Sequence, residues 1–123
     1  MSRKKWEIEQ MKMSRGEFNQ FLLQVIDYNL KQIFGKTATE IIYNYLERKH
    51  SLIREEIPEN LGVFVEGLRE LLSSGAQVIE HTVLTKLYSS LGLEYETKQG
   101  YTFTNYVTEL RNVFKNLENP LIK

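Results

Sequence analysis

The segment SRGEFNQFLLQVIDYNLKQIFG, residues 14–35, reads as one complete helix from its cap to its stop. Ser14 and Glu17 have the S-x-x-E spacing of a capping box, in which a hydroxyl and a carboxylate satisfy the amide protons that open a helix. Behind them Phe18, Phe21, Leu22, Val25, Ile26, Leu30, Ile33 and Phe34 recur every three to four positions. That period places side chains on one face of a helix. Gly35 takes positive φ without penalty and is the natural stop. The spacing predicts a helix over 15–34, with an apolar face wide enough to set it centrally.

The same grammar continues on the C-terminal side. Thr37-Ala38-Thr39-Glu40 has the box spacing again, and Ala38, Ile41, Ile42, Tyr45 and Leu46 mark a buried stripe running to His50. Its last turn, Arg48-Lys49-His50, is basic, as the negative end of the helix dipole favours. Pro58 breaks the pattern, so 51–59 is a connector, held to the core by Leu52, Ile53 and Ile57. Leu61, Phe64, Val65, Leu68, Leu71 and Leu72 then predict a helix ending near Ser73. Gly67 inside it costs about 1 kcal/mol relative to alanine, which predicts close approach of another helix.

Ser74-Gly75-Ala76-Gln77 predicts a cap for a helix over 75–91 carrying Ile79, Val83, Leu87, Tyr88 and Leu91, closed by Gly92. Residues 93–103 alternate around turn residues and predict either a short hairpin or an extended loop. Thr104 is the expected cap of a last helix with Tyr106, Val107, Leu110, Val113, Phe114 and Leu117, ended by Asn119-Pro120. Residues 1–13, with Arg3, Lys4, Lys5 and Lys12 among Trp6, Ile8, Met11 and Met13, form an N-terminal arm. The expectation is an arm followed by one all-α domain, 14–123, a compact bundle of about five helices joined by short connections.

Composition narrows the function. With 123 residues, 41% hydrophobic and 26% charged, the chain matches a single globular domain. It contains no cysteine, which excludes disulfides, thiolate metal sites and cysteine nucleophiles, and fits a cytoplasmic protein. No apolar run approaches the roughly 20 residues of a membrane span. The basic start is followed by residues too charged for a signal peptide. Sixteen basic and sixteen acidic residues cancel, whereas nucleic-acid binders usually carry a basic surplus.

His50 and His81 are the only imidazoles, and no H-E-x-x-H pair exists, so no metal site is read and no cofactor is expected. Nothing resembles a phosphate-cradling loop or a nucleophile motif. Glu55, Glu56 and Glu59 surround Pro58 with Arg54 before them. Paired carboxylates suit acid–base chemistry, but no nucleophile or pocket accompanies these, which leaves capping roles and a docking surface. Seven tyrosines are many for this length, and tyrosine suits half-buried edges, where the ring buries and the hydroxyl stays wet. Arg54, Glu55, Glu56, Tyr95 and Tyr101 are the candidate interaction residues.

Four segments carry a resemblance: Ile42-Tyr43-Asn44-Tyr45-Leu46-Glu47-Arg48-Lys49-His50, Arg54-Glu55-Glu56-Ile57-Pro58-Glu59, Gly75-Ala76-Gln77-Val78-Ile79-Glu80 and Leu87-Tyr88-Ser89-Ser90-Leu91-Gly92-Leu93. Together they make roughly residues 25–115 resemble the Nitrosopumilus output domain family. What the resemblance implies is a small archaeal all-helical output module of signalling proteins, without catalytic residues to carry over. The expected function is a non-catalytic interaction or signalling module with a protein partner, a second copy of itself included, paired through the arm and the last helix. Two other readings stand beside it. One is a winged-helix-like DNA binder using 75–91, whose sole full positive charge is Lys86. The other is a helical domain with a tyrosine-lined small-ligand pocket.

Overall fold

Ser14 caps the first helix as its spacing predicts. Its Oγ accepts from the Glu17 amide at 3.1 Å, and its own amide donates to Glu17 Oε1 at 2.9 Å. The structure is a computed structural model that describes residues 13–118, with side chains through Phe114. Residues 1–12 of the predicted arm, Leu117's side chain and the Asn119-Pro120 stop lie outside the described residues.

Helix α1 runs Arg15–His50 and is interrupted at one residue, Gly35, at φ 83° and ψ 167°. Glycine alone adopts that region readily. The interruption is a reversal. Tyr43 Oη donates to Asp27 Oδ1 at 2.8 Å although the two lie 16 positions apart. Along a straight helix they would stand ~24 Å apart. The two expected helices are therefore two arms, 15–34 and 36–50, folded against each other with a single residue between them. No capping box opens the second arm. The side-chain hydrogen bond formed there runs from Thr39 Oγ1 back to the Gly35 carbonyl at 2.8 Å.

Ser51 closes α1 in the left-handed conformation, its amide donating to Glu47 O at 3.0 Å. The stretch expected as a plain connector contains a 3-10 helix, Arg54–Glu59, which buries Ile57 and Pro58. Helices α2, Leu61–Leu72, and α3, Gly75–Ser90, follow with a tight turn between them. Ser74 makes no side-chain cap, so the expected box there is absent. Helix α4 spans Phe103–Glu118. Its cap is Thr102 instead of Thr104: Thr102 Oγ1 accepts from the Asn105 amide at 3.1 Å, and Asn105 Oδ1 accepts from the Thr102 amide at 2.9 Å.

Residues 91–102 form an extended loop, and no strand occurs among the described residues. The hairpin alternative fails because a side chain serves the backbone instead of a second strand. Tyr106 Oη accepts from the Lys98 amide at 2.6 Å and donates to the Lys98 carbonyl at 3.3 Å. Helix α1 packs against the 3-10 helix and all three other α-helices, and α2, α3 and α4 contact one another. Phe18, Leu22, Ile26, Leu46, Leu68, Leu87 and Phe114 are among the fully buried side chains at the centre. Ala76 and Leu84 join the core unforeseen, while Ile33, Ile41, Leu71 and Val113, all placed on buried stripes by their spacing, are exposed.

Gly67 meets its expectation. A β-carbon there would overlap Leu46 Cδ2 and touch the His50 ring, and Leu46 is fully buried and has nowhere to go. Gly67→Ala should therefore destabilise the fold by about 1–3 kcal/mol, the usual cost of overpacking, measured as a lower urea midpoint. Ser73 holds φ 51° and ψ −125°, a region costly for any residue with a β-carbon. Ser73→Gly should raise stability by about 1 kcal/mol in the same assay.

Candidate functional site

Four polar clusters emerge from this packing, and they divide the predicted interaction residues. The first sits across the α1 reversal. Asp27 accepts from Tyr43 Oη and pairs with Lys31 Nζ at 2.8 Å, while Arg54 NH1 stands 3.8 Å from it and its guanidinium lies 5.8 Å from the Tyr43 ring centre. Burial pushes Asp27 up, but the bonds from Lys31 and Tyr43 outweigh it and hold its carboxyl below the usual range. Burial and the Asp27 bond raise the Tyr43 phenol strongly. Arg54 and Glu55 line a depression beside Gln20, Leu23 and Gln24. Glu56 is exposed, and its carbonyl accepts from Asn60 Nδ2 at 2.9 Å.

A second cluster ties the start of α1 to α4. Arg111, 8% exposed, donates through NH2 to Asn19 Oδ1 at 2.9 Å and to the Pro58 carbonyl at 3.0 Å. It stacks 5.5 Å above the Phe18 ring, and its Nε has no partner. Glu59 receives a bidentate pair from Arg15 at 2.8 and 2.6 Å, and a further bond from Asn19. Those bonds, Arg15's foremost, hold the Glu59 carboxyl down at about 2. Burial and the nearby Arg15 charge lower Arg111, against the opposing pull of Glu59. Sequence reading overlooked Arg111. Its position, four after Val107 and three before Phe114, is a stripe position, and that was the available signal.

The third cluster gathers the tyrosines at the loop. Tyr88, Tyr95, Tyr106 and Tyr101 form a continuous array with successive ring centres 5.4, 5.4 and 5.0 Å apart, and His81 extends it 5.3 Å from Tyr95. Lys98 Nζ lies 4.9 Å from the Tyr101 ring centre and pairs with Glu109 Oε1 at 2.7 Å, while Tyr101 Oη donates to Glu109 Oε2 at 2.7 Å. The Lys98 and Tyr101 bonds lower Glu109; the Glu109 bond raises both partners in turn. Burial raises the Tyr88 and Tyr95 phenols. The predicted set is thus split, with Arg54 and Glu55 beside Asp27, Glu56 exposed on the 3-10 helix, and Tyr95 and Tyr101 at the loop.

His50, in the last turn of α1 as its spacing predicts, meets Glu70 Oε1 at 2.7 Å, and Tyr45 Oη donates to that same oxygen at 2.8 Å. These bonds lower the Glu70 carboxyl. They border a groove between α2 and the beginning of α4, lined by Gly62, Val65, Glu66, Arg69 and Glu70 on one side and Thr102–Thr104 on the other. The tyrosines do not line this groove, because their rings pack on one another. Glu80, one helix away, carries an unpartnered Oε2 at 3.8 Å from Arg69, and burial raises its carboxyl against the pull of Arg69.

Set against models of protein families, curated proteins and solved structures, the chain matches none. Among the described residues no group of three or more histidine or carboxylate ligands converges to hold a metal ion. No helix among them is long and apolar enough to cross a membrane.

Of these clusters the Arg15–Glu59–Asn19–Arg111 group is a structural tie, and it dictates a pH response. A carboxyl lowered on folding from 4.5 to about 2 adds stability that is complete above about 4.5 and disappears as pH falls toward 2. Glu59→Gln should lower stability at neutral pH and flatten its decline between those limits. Thermal melts of both proteins at stepped pH give the measurement.

Proposed function

We propose that the chain is a non-catalytic protein-interaction module that works through its tyrosine-bearing end. The observation that carries this reading is the array Tyr88–Tyr95–Tyr106–Tyr101, mounted on a loop already clamped by Tyr106 and by Lys98–Glu109, with Tyr101 39% exposed. Tyrosine offers a large amphipathic contact area at a small loss of rotamer freedom, which is why it recurs at binding hot spots. A loop ordered before contact loses little entropy on binding.

A second copy of the chain fits this surface. The outer positions of α4 beside Tyr101, namely Asn105, Thr108 and Asn112, carry no charge, and Glu109 among them is neutralised by Lys98. A two-fold contact sets each face against itself, so an uncharged, amide-rich face pairs without like-charge repulsion. The resemblance to a signalling output family supports the same reading, as does the cysteine-free composition for a cytoplasmic setting. DNA binding is less well supported, since Lys86 is the only full positive charge on α3 and it rests 5.8 Å from the Tyr28 ring centre.

Light scattering across a concentration series should show a dimer that Tyr101→Ser converts to monomer without loss of helicity. Should both forms stay monomeric, and a photo-crosslinker at position 101 label nothing in cell extract, the proposal is wrong.

A further inference from the structure

We infer that the groove between α2 and the start of α4 binds a small zwitterion with an apolar body, an α-amino acid of branched or aromatic side chain. Three observations lead there, and none depends on the tyrosine surface being an interface. The first is Gly62. It lies in the opening turn of α2 with helical backbone, and a β-carbon there would have open space around it. Neither backbone geometry nor packing requires glycine, which weakens a helix by up to about 1 kcal/mol relative to alanine. Gly16 stands similarly in α1, so a glycine alone decides nothing. What distinguishes Gly62 is its place on a groove whose floor is apolar, Val65 at 8% and Phe103 at 3% exposure. Any larger side chain at 62 would project into that space.

The second observation is the pair of charges beside it. Glu66 and Arg69 are three positions apart on α2 and both line the groove. Glu66 has no ion pair among the described residues, and Arg69, its side chain 58% exposed, makes only a loose ion pair with Glu80 at 3.8 Å, beyond hydrogen-bond reach. The third is Glu70, which lines the same groove but is occupied by His50 and Tyr45. One unpaired carboxylate and one guanidinium with open N–H donors thus face the groove. A simple cation would leave the Arg69 donors without an acceptor, and a simple anion would meet Glu66. An ammonium and a carboxylate on the same carbon answer both. Side chains at i and i+3 start only about 5–6 Å apart, so both heads can converge on groups that close together. The ligand's hydrocarbon then lies on Val65 and Phe103, with the Thr102 and Thr104 hydroxyls at the rim.

The test is titration of the full chain, followed by amide NMR, with L-leucine and L-phenylalanine as probes. The controls are 3-methylbutylamine and 4-methylpentanoate, which are leucine without its carboxylate and without its amine. Saturable shifts at Gly62, Val65 and Phe103 are expected, with each control at least about tenfold weaker, the equivalent of one lost charged contact. Gly62→Leu should abolish the shifts while leaving the melting temperature equal or higher, and Arg69→Met should weaken binding with the fold intact. The proposal is overturned if neither amino acid gives saturable shifts, if the controls bind as well as leucine, or if Gly62→Leu binds undiminished.

Discussion

At Gly35 the backbone adopts φ 83° and ψ 167°, a conformation closed in practice to any residue bearing a β-carbon. One long run of helical residues is thereby folded into two arms that share a core, and the remaining elements are built on that pair. Tyr43 and Asp27 meet only because of the reversal. The 3-10 helix is seated against the arms, bringing Arg54 to the Asp27 carboxylate and burying Ile57. Leu46, on the second arm, reaches α2 at the one place where Gly67 leaves room for it. A straight helix of the same sequence would hold none of these contacts, and its two stripes would face solvent.

Polar side chains then join elements that apolar packing only brings near. Glu70 links the end of α1 to α2 through His50 and Tyr45, and Arg111 links α4 to the start of α1 and to the 3-10 helix. These bonds differ in what they contribute. Exposed pairs such as Lys98–Glu109 add little to stability, but they fix the position of a loop that has no sheet to hold it. Arg111 is different, because a buried guanidinium must find acceptors or remain a cost. It finds two, an aromatic face beneath it, and no acceptor for Nε.

The tyrosine array and the groove lie on either side of the start of α4. Thr102 caps that helix and borders the groove, and Tyr101 immediately before it carries the exposed end of the aromatic array. Each is made of residues whose chemistry exceeds what packing needs. Glycine stands where a helix former would fit, and Tyr101 adds an exposed ring to the array. Open charges line the groove within reach of apolar floor.

Sequence alone determined the helical class, the Ser14 box, the chain break at Gly35 and most of the buried stripes, because each depends on neighbours within a turn or two. The close approach at Gly67 was legible because a glycine inside a helix is costly unless something needs the room. Periodicity over-counted the core at Ile33, Ile41, Leu71 and Val113, since a stripe can be wider than the surface that covers it. The caps at Thr37 and Thr104 failed because a hydroxyl at the right spacing caps only if the chain enters the helix at that residue. Ser74 does stand at the entry to α3, but with backbone already helical (φ −65°, ψ −18°) in place of the extended form a side-chain cap needs. Tertiary structure alone decided the rest. That Tyr106 would serve Lys98 in place of a partner strand, that Arg54 and Tyr101 would stand in separate clusters, and that α2 and α4 would leave a groove between them all follow from how distant elements pack. Local spacing carries no information about which faces meet.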